Sequence, residues 1–225
     1  MPRNLKLTGI AIWTCLLAVW GAALAVVPPD QNQGEVYRII YLHVPSAISA
    51  FAASLFLALA GGAALWTRNE KFLTWQRALA ETGLLMTGLA LLTGSIWGKP
   101  TWGTWWTWDA RLTTTFLLAI LLAGYLMLHS ALPTGRQRLA VCSGLSIFIF
   151  ADVPIIYKSV TWWRTLHQPP TIIRSGGSTM APEMLTVLIS GIVAMVLMMF
   201  WLAWLRTGSI ELNRELESQT GAALT

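Results

Sequence analysis

Charge is scarce in this chain of 225 residues: 11% are Asp, Glu, Lys or Arg, against about 25% in a typical soluble domain. So little charge cannot clothe a globule in water, which excludes an ordinary soluble enzyme, and disordered chains need more charge still. The balance is +5, yet no basic cluster has the density a phosphate backbone demands, so no nucleic-acid partner is expected. Cysteine is nearly absent. Cys15 and Cys142 both lie in apolar stretches with no CxxC, CxxCH or zinc spacing, which excludes thiol-redox, zinc and covalent haem-attachment motifs. Both read as small buried hydrophobes with no disulfide between them. The chain also lacks internal repeats, low-complexity tracts and a phosphate-binding glycine loop, so any ATPase must be another chain.

What the chain has in abundance is apolar length: 55% hydrophobic residues and a mean hydropathy of +0.59. A spanning helix needs about 20 apolar residues, and six stretches qualify, at 8–27, 45–66, 78–97, 112–132, 139–159 and 184–205. The expected fold class is an all-α integral membrane protein with six transmembrane helices, residues 1–225 forming a single membrane domain in contact with lipid. Arg3 and Lys6 before an apolar run, with Ala23-Leu24-Ala25 after it, resemble a cleavable signal. The run is long for that role and holds Trp13 and Trp20, so it reads as an uncleaved span.

Lys and Arg set the orientation. Arg3, Lys6, Arg68, Lys71, Arg77, Arg136, Arg138, Arg206 and Arg214 fall on one side, and Arg38, Lys99, Arg111, Lys158, Arg164 and Arg174 on the other. The compact basic loops at 67–77 and 133–138 then face the cytoplasm, together with both termini. The outer connections, at 28–44, 98–111 and 160–183, are much the longer, so distinctive work is expected on the outer face.

There the second connection holds Trp97, Trp102, Trp105, Trp106 and Trp108, five tryptophans in twelve residues, followed by Asp109 and Arg111; Trp162 and Trp163 join the same side. An interfacial aromatic belt accounts for one or two Trp at a helix end, as at Trp66, Trp75, Trp201 and Trp204. It does not account for five in a short loop with two Gly and a Pro. Indole faces suit a flat apolar ligand; a quaternary ammonium held by cation–π contacts is the competitor on chemistry alone.

Histidine chooses between them. Of three in the chain, His43 and His167 share the Trp-rich face, while His129 falls at the inner end of span four. Neutral imidazole ligates metal, a proline two residues after each outer His stiffens its approach, and two such His beside an aromatic platform fit bis-imidazole ligation of haem iron. Lys99, Arg111, Arg164 and Arg174 are the outer cations within reach of the propionates. Asp109 is expected to pair with Arg111 at the start of span four, and Asp152, inside span five, to need a buried partner.

The run from Trp97 to Asp109 flanked by an outer His on each side resembles the WWD-domain haem-handling proteins of cytochrome c biogenesis. With six spans and a single outer His pair, the chain is most similar to their haem-delivery members, the CcmC family, over nearly its whole length. That resemblance implies haem b held at the periplasmic face of the bacterial inner membrane by His43 and His167 as axial iron ligands. It implies a WWD segment at 97–111 contacting macrocycle and acceptor through Trp97, Trp102, Trp105, Trp106, Trp108, Asp109 and Arg111, with Trp162 and Trp163 joining them in binding the cofactor. The implied partners are a membrane-anchored periplasmic haem chaperone, ABC transporter ATPase and permease subunits and a small single-span subunit. A small-molecule transporter or channel with an aromatic gate is the alternative; it predicts midplane polar residues, which spans one, two and four lack beyond Ser, Thr and Gly.

Overall fold

The computed structural model describes residues 3–168 and 177–223. Apolar runs without charge close their backbone hydrogen bonds internally, as hydrocarbon requires, and six helices result: α1 (Arg3–Ala25), α2 (Ile40–Thr67), α3 (Lys71–Trp102), α4 (Ala110–Ala131), α5 (Arg136–Trp162) and α6 (Pro182–Ala223). All six are long and apolar enough to cross a membrane, so the chain is a multi-pass membrane protein. An even number of crossings leaves both ends of the chain on one side. The other side, which the charge bias assigns to the exterior, is called the outer end below.

Helices α2, α3, α4 and α5 pack in a ring, each against the next; α6 leans on α2 and α3, and α1 packs on α6. Leu57, Leu118, Leu122, Tyr125, Ile149 and Ile156 fill the interior, and large apolar side chains such as Leu17, Met127 and Phe148 project outward. Near the inner end, buried Gln76 donates from Nε2 to the Ser143 hydroxyl (3.1 Å) and accepts at Oε1 from the Tyr125 hydroxyl (3.1 Å), joining three helices of the ring. Cys15 is exposed and Cys142 buried, both free.

The helices outrun the apolar stretches. The first inner connection shrinks to Arg68–Glu70, because Lys71–Arg77 is already helical. At its outer end α3 runs on through Pro100 to Trp102, so half of the expected Trp-rich loop is helix. Proline there forfeits only one hydrogen bond close to a helix end. Gly103, at φ 79°, stops the helix in a left-handed conformation, its N–H donating to the Lys99 carbonyl. Helix α6 is continuous over 42 residues, about 63 Å at 1.5 Å per residue. Two contacts strap its inner half to α3: Arg206 with Glu81, which also takes Arg77, and Arg214 with Thr74. Its outer half meets α2 at Gly191, where a Cβ would lie 3.5 Å from Pro45 Cγ and 3.8 Å from the Tyr41 carbonyl oxygen.

Candidate ligand-binding site

The outer mouth of the helix ring opens into a cleft that is continuous with the outside. His43, Ala47 and Phe51 of α2 descend one wall, and Trp97, Gly94 and Ala90 of α3 a second. Arg111, Thr115 and Leu118 of α4 form a third. From His43 to Phe51 the wall drops about 12 Å by helical rise. The slot is narrow, deep and mostly apolar, with polar groups near its rim.

His43 sits in the first turn of α2, behind a short 3₁₀ turn at Glu35–Ile39. Its Nδ1 lies 3.0 Å from the Ala90 carbonyl oxygen and 3.1 Å from Thr93 Oγ1. Thr93 spends its own proton on the Leu89 carbonyl, at 2.6 Å, so both partners of Nδ1 are acceptors. Nδ1 must carry the ring proton, which leaves Nε2 as a lone pair. His167 repeats the device: Nδ1 is 2.9 Å from the Gln168 carbonyl oxygen, a group that can only accept. A carbonyl fixing the tautomer from the far side of the ring is how ligating histidines are oriented. The two ring centres are 6.4 Å apart and tilted by 37°.

Burial, and after it the nearby Arg111 guanidinium, pushes the His167 pKa down to about 4. The imidazole therefore stays unprotonated across the physiological range.

The tryptophans divide. Trp97, Trp102 and Trp106 line the cavity. Trp97 meets His43 edge-on at 5.7 Å and Tyr37 likewise at 5.7 Å; Trp102 lies 6.3 Å from the His167 ring. Trp105, Trp108, Trp162 and Trp163 are exposed and outside the cavity lining, Trp108 at 72%. Trp162 and Trp163 pack on each other, and Trp108 on Phe116. What reads as one platform is two sets, one facing the cavity and one facing out.

Asp109 and Arg111 do not form the expected pair. Asp109 is the N-cap of α4: Oδ1 accepts from the Leu112 N–H at 3.0 Å and Oδ2 from the Leu166 N–H at 3.4 Å. One carboxylate thus starts α4 and tethers the loop that bears His167. Arg111 instead donates from Nη1 to the Ile156 and Tyr157 carbonyls near the end of α5 (2.9 and 3.4 Å). Of the other expected outer cations, Lys99 bonds the Gly103 carbonyl, Arg164 is exposed, and Arg174 lies outside the described residues, as do Pro169 and Pro170. Asp152 is buried at 6% exposure, but its Oδ2 has no hydrogen-bond partner among the described residues. His129, at the inner end of α4, is buried, with neither ring nitrogen hydrogen-bonded among the described residues, and is far along the fold from the cavity.

Two residues of the site carry no motif. Gln33 accepts at Oε1 from the Trp97 indole N–H (2.7 Å), and a turn in which Asp30 Oδ1 takes the Asn32 and Gln33 N–H groups holds it there. Gly94 makes room for His43: a Cβ on it would lie 3.0 Å from His43 Cε1. Among the described residues no cluster of three His, Cys, Asp or Glu side chains could hold a bare metal ion.

The family model described as CcmC, Heme exporter protein C, matches residues 3–222. The chain is 40% identical over 204 residues to the Heme exporter protein C of Haemophilus influenzae, an alignment spanning 90% of this chain and 79% of that protein. It is 36% identical over 184 residues to the one from Bradyrhizobium diazoefficiens, covering 81% and 70%. It is 42% identical over 153 residues to the one from Escherichia coli, covering 68% and 62%.

Proposed function

The chain belongs to the heme exporter protein C family, and from that premise we propose that it takes haem b as cargo between His43 and His167 at the periplasmic face of a bacterial inner membrane. It then delivers the haem to a membrane-anchored periplasmic haem chaperone for cytochrome c maturation. The observation that carries this reading is the His pair itself. Two imidazoles bound to one metal from opposite sides at about 2.0 Å have ring centres about 6.3 Å apart; these stand at 6.4 Å, each with Nδ1 engaged and Nε2 without a hydrogen-bond partner among the described residues, on the lining of the outer cleft.

Trp97 and Trp102, against the two rings, and Trp106 wall the macrocycle, while Asp109 acts through the His167 loop. The outward set of Trp105, Trp108, Trp162 and Trp163 is the surface offered to the acceptor, since tryptophan is enriched among the residues that carry binding energy at protein interfaces. The chain itself is a delivery subunit rather than an enzyme. Two strong ligands and aromatic stacking make a stable loaded state, so release needs a partner that binds the unloaded form better. ABC transporter ATPase and permease subunits, with a small single-span subunit, supply that bias.

The test is the visible spectrum of purified protein. Wild type carries a low-spin haem band. His43→Ala and His167→Ala each lose haem or turn high-spin, while His129→Ala keeps the wild-type band. Unchanged spectra in both outer variants would overturn the assignment.

A further inference from the structure

A second pocket lies at the inner end of the ring, about 33 Å of helical rise along α2 from His43. Helices α2 and α5 pack tightly at Gly61, where a Cβ would lie 2.9 Å from the Ser143 carbonyl oxygen. One turn further on, Leu65 of α2 and Leu139 and Ala140 of α5 line a pocket together with Arg68, Glu70 and Arg136. Arg68 comes three residues after Leu65, and Arg136 three before Leu139. On both sides, then, a cation stands about one turn outside an apolar residue. Neither guanidinium has an ion-pair partner among the described residues, Glu70 included. Trp66, 91% exposed beside them, is the residue type that collects at the membrane–water boundary. Arg68 ends α2 in the left-handed region, at φ 54°, alone there among the described residues that are not glycine. Glycine is usual at that position because a Cβ is strained there, so the backbone does not call for arginine.

We propose that this pocket holds one phospholipid at the inner end of the molecule. Arg68 and Arg136 bind its phosphate, Glu70 accepts a hydrogen bond from its headgroup, and its acyl region lies along Leu65, Leu139 and Ala140. A free anion would meet the two guanidinium groups but gain nothing from the apolar wall a turn below. Glu70 would repel a bare phosphate, yet it suits a headgroup that ends in an ammonium or a hydroxyl. Basic pockets between spanning helices take lipid headgroups in this way. The lipid thereby ties the turn after α2 to the start of α5. Nothing in this proposal depends on the haem reading, and the two share no residue.

Native mass spectrometry of the full-length protein counts the lipid retained after phosphatidylethanolamine, phosphatidylglycerol or phosphatidylcholine is added to its detergent. Wild type should keep one ethanolamine or glycerol lipid per chain and lose the choline lipid, whose headgroup has no donor. Arg136→Gln should weaken retention about tenfold, the worth of one charge-assisted hydrogen bond. Lys71→Gln removes the same charge from the neighbouring turn, outside the pocket, and should retain the lipid. Glu70→Gln should bring the choline lipid level with the others. Arg68→Gly should act in two opposite directions. It should raise the melting temperature in lipid-free detergent, by relieving the left-handed backbone, and abolish the further rise that the ethanolamine lipid gives wild type. If Lys71→Gln costs as much as Arg136→Gln, loop charge attracts the lipid and the pocket is not its site. If inorganic phosphate raises the wild-type melting temperature as far as the lipids do, the ligand is a free anion and the proposal fails. Equal retention of all three lipids by wild type, or full retention in both arginine variants, also overturns it.

Discussion

A single methyl group on α3 tests the geometry of the His43 side. Alanine at position 94 puts a carbon 3.0 Å from His43 Cε1 and 3.5 Å from Nδ1, whereas carbon atoms rest about 3.5–4.0 Å apart. The ring must retreat by about half an ångström at the closest atom. It has little freedom to do so, because Nδ1 is held at 3.0 Å from Ala90 and 3.1 Å from Thr93, and retreat stretches those bonds toward their limit. Overpacking of this kind costs about 1–3 kcal/mol. Expressed in the loaded state, that is a factor of about 5 to 150 in haem Kd. Gly88 is the internal control: same helix, same substitution, and nothing within 4 Å of its would-be Cβ. Gly88→Ala gains about 1 kcal/mol of helix propensity and should leave haem binding untouched. The assay is the rate at which a soluble haem acceptor strips each purified protein, read at the low-spin band. Equal rates for Gly94→Ala and Gly88→Ala would refute the claim that His43 is held against Gly94 in the loaded protein.

The pH dependence follows from His167: with its pKa near 4 in the fold and about 6.5 when unfolded, the unfolded chain binds the extra proton. Stability is therefore lost as pH falls through that window, while the imidazole stays unprotonated down to about pH 4; absorbance of the low-spin band should hold from pH 7 to 5, and Arg111→Gln, which removes a positive neighbour, should shift acid loss of haem upward. No upward shift would mean that Arg111 does not act on His167. Gln33→Ala leaves the Trp97 N–H without its acceptor, costs about 1–3 kcal/mol and should speed haem loss by several-fold without abolishing the low-spin band; an unaltered off-rate would show that this strap is idle. Replacing Trp105, Trp108, Trp162 and Trp163 together by Ala should preserve the haem spectrum but lower transfer to the haem chaperone, whereas Trp97→Ala or Trp102→Ala should alter the spectrum itself. The opposite pattern would mean that the two sets have been assigned the wrong way round.

How much of this was readable beforehand depends on the range over which each feature is determined. Six spans follow from composition alone, because hydrocarbon tolerates little else, and parity then puts His43 and His167 on one face. Helix ends were less legible: Trp, Gly and Pro at 97–103 look like a loop, yet Pro100 costs one hydrogen bond and Gly103 is the residue that stops the helix. Asp109 caps α4 instead of pairing with Arg111 for a local reason. Residues two apart do not face each other on a helix, and an Asp before an apolar run is a cap signal in its own right. Gln33 and Gly94 carried no signal: one acts across 64 residues of sequence, and the other is a single glycine among 18, marked only by what packs against it.

The length of α6 turns the protein into something with reach. A bilayer core is about 30 Å thick, and a rod of about 63 Å leaves several turns standing clear on the inner side, with Leu212 and Leu216 exposed on them. An unbroken helix does not bend easily, so a push on that mast is felt along its whole length. Pivoting near the Glu81 strap, a tilt of about 5° displaces residue 191 by about 2 Å, using the helical rise from residue 206 back to it. There Gly191 rests on Pro45, two residues from His43. Force applied on one side of the membrane thereby arrives beside His43 on the other, and probes at the inner tip and at position 45 should move together.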